Sequence, residues 1–220
     1  MIFRNREHAA TLLAQKLAKY KVQKPLILGI PRGAVPMAKI IADALEGELD
    51  VVLVHKLGAP GQPELAIGAV DEKGRVYLSD SASEWGISSE HVEREKLEQL
   101  ETLRRRRAQY TPFRSPINPS GRIVIVVDNG IATGATMIAA LRSVREQRPA
   151  QLIAAVAVLP VSTLKHIRKY ADQVVYLDTP ENFFAVGQYF EDFSQVTDEQ
   201  VVGILRSVRM REKATEKFVA

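Results

Sequence analysis

Two hydrophobic rhythms alternate along the chain. Short continuous apolar runs, PLILGI (25–30), DVVLVHKL (50–57), RIVIVV (122–127), QLIAAVAVL (151–159) and QVVYL (173–177), have the length of strands buried on both faces. Between them, apolar residues recur at helical spacing. A first helix is expected behind an Asn5 cap, running to about Tyr20 with Leu12, Leu13 and Leu17 on its inner side. Further helices are expected in RGAVPMAKIIADALEGE, ending near Gly47, in 134–147 and in 161–170. Strand and helix in alternation, with strands apolar throughout, predict an α/β fold: an open, mainly parallel sheet with helices on both faces.

The rhythm is interrupted in three places. From Gly58 to Asp80 the pattern loosens around Gly58, Pro60, Gly61 and Pro63. LAIGAV and RVYLS then read as two short strands joined by a hairpin turn at DEKG. Residues 88–110 read as a highly charged helix with a thin stripe of Leu97, Leu100 and Leu103, and TPFRSPINPSG (111–121) as a linker with three prolines. The expectation is one domain over 1–220, with 80–121 as a helical insertion packed onto the main sheet. The aromatic-rich stretch 178–196 is expected to form a small hood before a C-terminal helix from Asp198 to about Lys213.

Composition narrows the function classes. The 220 residues carry 30 basic and 26 acidic side chains, a net charge of +4 that suits a small anionic ligand. Nucleic acid is not expected: the mild excess does not imply it, since basic residues should then cluster on one face. The dense run Arg104 to Arg107 reads as a solvated helix face, with a partner surface as the alternative. The absence of cysteine removes disulfides and thiolate metal sites. Four scattered histidines give no metal-ligand spacing. No run approaches a membrane span, and the N-terminus lacks a signal-peptide core, so the default expectation is a cytoplasmic protein with no membrane partner.

The chemistry concentrates in RIVIVVDNGIATGATMIAAL (122–141), where a buried strand opens into a polar turn and resumes as a helix. Such a turn lies at the carboxyl edge of the sheet, where open α/β folds bind ligands. The first turn of the helix offers unpaired N–H groups and the positive end of a dipole, which suit a phosphate. Asp128 and Asn129 can accept hydrogen bonds from sugar hydroxyls. TGAT alone fits an ordinary capped helix equally well; the strand, the Asp and the spacing favour the ligand loop.

VIVVDNGIATGATM resembles the phosphoribosyl pyrophosphate signature of type I phosphoribosyltransferases. GIPRGAVPMA, HKLGAPGQPELAIGAV and TPENFFAVGQYFEDFSQVTDE extend the similarity to a subgroup of these enzymes with undefined substrate. The resemblance implies that Asp128 and Asn129 meet the ribose hydroxyls, and that Ala132, Thr133, Gly134, Ala135 and Thr136 surround the ribose and its 5-phosphate. It implies that Pro31, Arg32 and Gly33 form the pyrophosphate loop, joined by Lys56 at a strand end, and that Lys56, Glu64 and Arg32 serve catalysis under a lid formed by 58–66. Mg2+ is the implied cofactor, held mainly through substrate oxygens and water, with no dedicated protein metal site. The implied partners are phosphoribosyl pyrophosphate and a nitrogen acceptor, a nucleobase by class; a homo-oligomer is left open.

Two departures from the family pattern bear on function. Asn129 stands where a second acidic residue is usual, and keeps an acceptor but no charge. Ala132 stands where enzymes of the hypoxanthine/guanine kind carry an Asp, which argues against that substrate class. Asn129 also favours an alternative from another class, a non-catalytic regulatory protein that binds phosphoribosyl pyrophosphate or a nucleotide. A phosphatase or phosphosugar-binding protein ranks lower, for want of an Asp or His nucleophile at a strand end. Bland alternatives stand beside each assignment: a Pro-Gly turn with a surface Arg at 31–33, a plain connection at 58–66, and an ordinary strand histidine at His55. The aromatics Phe183, Phe184 and Tyr189 either stack on a planar base or close the core under a long loop.

Overall fold

The structure, a computed structural model, describes residues 1–79, 82, 85–112 and 116–219, the side chains of 63, 64 and 212–219 excepted. Its strands are β1 (Leu26–Gly29), β2 (Glu48–Val51), β3 (Val54–Ala59), β4 (Gln62–Asp71), β5 (Val76–Leu78), β6 (Ile123–Gly130), β7 (Gln151–Val158) and β8 (Gln173–Asp178). Its principal α-helices are α1 (Arg6–Leu17), α2 (Ala34–Leu45), α3 (Ser89–Tyr110), α4 (Ala135–Arg145), α5 (Val161–Ile167) and α6 (Asp198–Val219). Asn5 caps α1 as expected, its side chain accepting from the His8 N–H at 2.9 Å.

Five strands form a parallel sheet in the order β2-β1-β6-β7-β8. Because successive side chains point to opposite faces, Ile125 and Val127 join the core under α1 and α2, while Val124 and Val126 join the core under α4 and α5. Both faces are therefore covered, and the strands have to be apolar throughout. The mainly parallel α/β sheet read from the pattern is the observed one.

The run 50–57, expected as a single strand, divides. Its first part ends β2 in the parallel sheet, and its second begins β3 in a separate antiparallel sheet, β3-β4-β5. The apolar residues of both halves are buried, so the hydrophobic pattern does not show where the sheet changes; only His55 and Lys56 are half-buried. The segment 58–66 is likewise mostly ribbon. Ala59 pairs with Gln62 around Gly61, whose φ of 69° lies in the left-handed region, and the irregularity at Leu57–Gly58–Ala59 takes up the register. The turn at 71–74 forms as expected. The buried Asp71 carboxylate clasps it, accepting from the N–H groups of Lys73 and Arg75 and from Arg75 Nε, each at 2.9 Å.

Helix α3 packs mainly on β3 and β4 of the antiparallel sheet and on α6. The expected contact with the main sheet is confined to its C-terminal end, where Arg107 donates to Val51 O (3.2 Å) and Asp50 (3.4 Å) of β2 and binds Glu72 through two nitrogens at 2.8 and 2.9 Å. Arg107 is thus a pinned ion-pair residue and not part of a solvated face; Arg104 and Arg105 are exposed. Leu97 is also misplaced by the sequence reading, being 64% exposed. At 100° per residue it lies about 100° round the helix from the direction shared by Leu100, Leu103, Arg107 and Tyr110. Among the described residues no helix is long and apolar enough to cross a membrane.

Candidate active site

Strands β1 and β6 lie side by side, Gly29 opposite Val127, and the Ile30 N–H donates to Val127 O at 3.1 Å. The chain leaving β1 turns to α2 on one face, and the chain leaving β6 turns to α4 on the other. Such a divergence opens a crevice at the carboxyl edge of the sheet. The two loops expected to hold ligand, 31–33 and 128–136, therefore meet there. Their closest approach is at Gly33, where a Cβ would collide with Asn129 Nδ2, so only glycine fits without displacing Asn129. The Pro31–Arg32 peptide is cis.

Asp128 and Asn129 end β6 and are half-buried at the floor of the crevice. The Asp128 carboxylate accepts the Asn129 N–H at 2.7 Å. Although part of its surface reaches solvent, burial pushes its pKa from 3.8 to about 7, the hydrogen bond from Asn129 only partly opposing this. Asn129 Oδ1 is buried without a hydrogen-bond partner among the described residues. A buried acceptor left open is costly unless a ligand satisfies it.

The loop expected to hold the 5-phosphate precedes α4. The first bond within the helix runs from Ile138 N–H to Gly134 O (2.8 Å), leaving the N–H groups of 135–137 ahead of it. Thr133 is exposed, while Ala135 and Thr136 are half-buried. Gly134 has a φ of 92°, and a Cβ there would point at Thr163 Cγ2 (3.2 Å) and Ile167 Cδ1 (3.3 Å) of α5. Backbone conformation and packing on α5 thus both favour glycine at this position. Ala132 is tied from the same side, its carbonyl accepting from the buried Thr163 hydroxyl at 2.6 Å. Nothing in the local pattern around Thr163 marks it as a brace for this loop.

The cationic residues separate into two groups. Arg32 pairs with Asp198 in the first turn of α6 (3.7 Å), and Tyr110 donates its hydroxyl to the same carboxylate. Burial, with Asp198 beside it, pushes the Tyr110 pKa up. Lys56 on β3 instead faces a cavity of about 480 Å3 between the antiparallel sheet and α4, shared with Thr133, Ala135 and Thr136. Residues 31–33 are not among its lining residues. Lys56 is thus brought to the phosphate-loop side of the site, while the resemblance had grouped it with the pyrophosphate loop. Glu64 lies on β4, but its side chain is outside the described residues.

The hood resolves residue by residue. Tyr189 and Phe190 are buried; Tyr189 stacks on Phe183 (centroids 5.4 Å) and donates to Asn182 O (2.6 Å), and Phe190 packs on Phe3 (5.3 Å). Phe184 is 87% exposed and is the aromatic left available to a ligand ring. Val186 seats the segment on the end of β6, within 2.6 Å of where a Cβ on Gly130 would lie. Asp198, Tyr110 and Thr163 are the site residues that sequence reasoning missed, since each reaches the site from a distant element.

Comparison with known proteins agrees with this architecture. Residues 1–193 match the family model described as phosphoribosyl transferase domain. Proteins of Mycobacterium tuberculosis, from strains H37Rv and CDC 1551, are provisionally named phosphoribosyl transferases and are 40% identical over 205 residues. The match takes in 93% of this chain but 46% of theirs, so the chain spans about half the length of these curated relatives. TT1426 of Thermus thermophilus, a solved crystal structure, is 44% identical and superposes with a TM-score of 0.81 over 93% of this chain and 98% of its own. With the match over residues 1–193 and the fold and crevice described above, the chain belongs to the phosphoribosyl transferase domain family.

Proposed function

We propose that the chain acts as a single domain that transfers the 5-phosphoribosyl group of phosphoribosyl pyrophosphate to a nitrogen acceptor of the nucleobase class, releasing pyrophosphate. The observation that carries this reading is the meeting of the two loops at the β1/β6 crevice. There Asp128 and the open Asn129 Oδ1 form a floor of acceptors between the 31–33 turn and the N-terminus of α4. Ribose hydroxyls donating to Asp128 and Asn129 would fix the sugar, and the N–H groups of 135–137 with the threonine hydroxyls would hold the 5-phosphate. Positive charge develops on the ribose ring as the bond to pyrophosphate lengthens, and the ionised Asp128 below the ring favours it. Arg32 and Lys56 supply positive charge toward the two anionic ends, so rate would come from positioning and electrostatics without a covalent nucleophile. The exposed Phe184 would be the aromatic to cover a planar acceptor.

Magnesium, when bound with the substrate, would offset charge on the pyrophosphate and ribose oxygens. The residues fit an ion of that kind: one carboxylate at Asp128 and one unsatisfied amide oxygen at Asn129 leave most of the ligand positions to substrate and water.

The test is a panel of nucleobases offered with phosphoribosyl pyrophosphate and magnesium, scoring pyrophosphate release with wild type and Asp128→Asn. Release dependent on one base and lost in the variant is the expected result. Tight binding of phosphoribosyl pyrophosphate with no release for any base would favour the non-catalytic regulator instead, a reading supported by the missing charge at Asn129 and by the engagement of Arg32 with Asp198.

A further inference from the structure

The cavity facing Lys56 is larger than one phosphate requires and extends away from the crevice. On α4 its wall is formed by Ala135, Ile138, Ala139 and Arg142, spaced i, i+3, i+4 and i+7 along one helix face. That wall runs about 10 Å from the phosphate loop to the Arg142 backbone. Opposite it stand Leu65, Leu78 and Trp85, which remain 40%, 44% and 47% exposed. Large apolar side chains left open around a concave surface mark a place where an apolar body can settle.

The far end is cationic. Arg142 and Lys169 line it, and His166 lies beside them. The Arg142 guanidinium rests over the Tyr77 ring, 4.8 Å from its centroid. The neighbouring carboxylates are engaged elsewhere, Asp172 with Arg145 at 2.8 Å and Glu146 with Arg75 at 3.5 Å. Neither Arg142 nor Lys169 has a carboxylate partner among the described residues, and no carboxylate lines this cavity among them.

From this arrangement we infer a second ligand site that shares the phosphate loop with the substrate. Its ligand is a small phosphorylated molecule with an apolar or aromatic body and a second anionic group at the opposite end. The phosphate sits at 133–136, the body lies between Ile138 and the Leu78–Trp85 wall, and the second anion meets Arg142 and Lys169. Because the loop accepts one phosphate at a time, such a ligand competes with phosphoribosyl pyrophosphate and regulates its binding. The inference rests on the proposed phosphate-binding role of 133–136.

Trp85 is the single tryptophan of the chain and lines the cavity, so its fluorescence reports occupancy. The probes are phenyl phosphate and 4-carboxyphenyl phosphate, which differ by the second anion across one benzene ring, with ribose 5-phosphate as competitor. The carboxylated probe is expected to bind about tenfold more tightly or better, by one charge-assisted contact. Ribose 5-phosphate should displace both probes. Replacing the exposed pair Arg142→Gln and Lys169→Gln should abolish the advantage while leaving phenyl phosphate and ribose 5-phosphate affinities unchanged. Equal affinity of the two probes, an advantage that survives the double substitution, or no competition with ribose 5-phosphate would overturn the inference. Failure of ribose 5-phosphate itself to bind in calorimetry would remove the functional reading and this inference together, whereas failure confined to the aryl phosphates overturns the inference alone.

Discussion

Replacing Asp128 by Asn should make the protein more stable and a poorer binder of its substrate, and the stability gain should grow with pH. In the folded chain burial pushes this carboxyl from 3.8 to about 7, while the unfolded chain releases its proton near the ordinary value. Between about pH 4 and pH 7 the native state therefore holds a proton that the unfolded state has lost. The contribution of Asp128 to stability is complete below the unfolded value and is lost as pH rises through the folded one. The gap of about 3 pH units, at 1.36 kcal/mol each, sets a ceiling of about 4 kcal/mol on the cost of the ionised group. Solvent reaches part of the carboxylate, so about 2 kcal/mol is the expected gain for the amide at pH 8, or roughly 4–8 °C in Tm for a chain of this size. The amide keeps an oxygen to accept the Asn129 N–H, so little is lost in exchange.

Thermal unfolding of both proteins at pH 4, 6 and 8 measures this directly. The gain should be small at pH 4 and largest at pH 8. Binding of phosphoribosyl pyrophosphate, by calorimetry at pH 8, should fall about tenfold or more, because one amide oxygen replaces a carboxylate that can accept from two hydroxyls. A variant no more stable than wild type at pH 8, or equally stabilised at pH 4 and pH 8, would refute the assignment of a strained, functionally retained carboxylate.

Three further outcomes are expected. Arg107→Ala should destabilise the fold by about 2–4 kcal/mol in chemical denaturation, because it strips the guanidinium from buried Asp50 and from Glu72; a loss under about 0.5 kcal/mol would return Arg107 to the solvated face. Gly134→Ala should lower stability by about 1–2 kcal/mol from the left-handed backbone alone, read as a fall in Tm; an unchanged Tm would mean the loop relaxes freely. Lys56→Ala should weaken ribose 5-phosphate and phosphoribosyl pyrophosphate alike, by about 1.5–3 kcal/mol, since Lys56 shares the cavity with the phosphate loop; a loss confined to turnover would reassign it to the departing pyrophosphate.

What the sequence made legible was local. The apolar runs at 122–127 and 151–159 announce buried parallel strands because both faces of each must be covered, and Asp128 follows the first run at the carboxyl edge of the sheet. Turn chemistry also reads locally, as at 71–74, where Asp71 and Gly74 supply the acceptor and the positive φ. Long-range pairing does not. Arg107 looked like one of four surface arginines until Asp50, 57 positions away, and Glu72, 35 away, came to lie beside it. The run 50–57 changes sheet midway, and its apolar residues are buried on either side of the change, so the pattern does not show where it occurs.

The two site glycines show where a local reading stops. Gly33 and Gly134 look alike in sequence, each following a strand and preceding a helix at an expected phosphate-binding turn. In space their reasons differ. Gly33 has an ordinary φ of −60°, and what excludes a side chain there is Asn129, brought against it only because β1 and β6 are neighbours. Gly134 is buried, and its φ of 92° and its contact with α5 are what disfavour a side chain there. One glycine thus records how two loops join and the other how one loop is braced. It follows that a bulky residue at 134 perturbs the fold before it perturbs the ligand, whereas a methyl group at 33 moves Asn129 first. Gly33→Ala is therefore the substitution that probes the junction of the two loops itself.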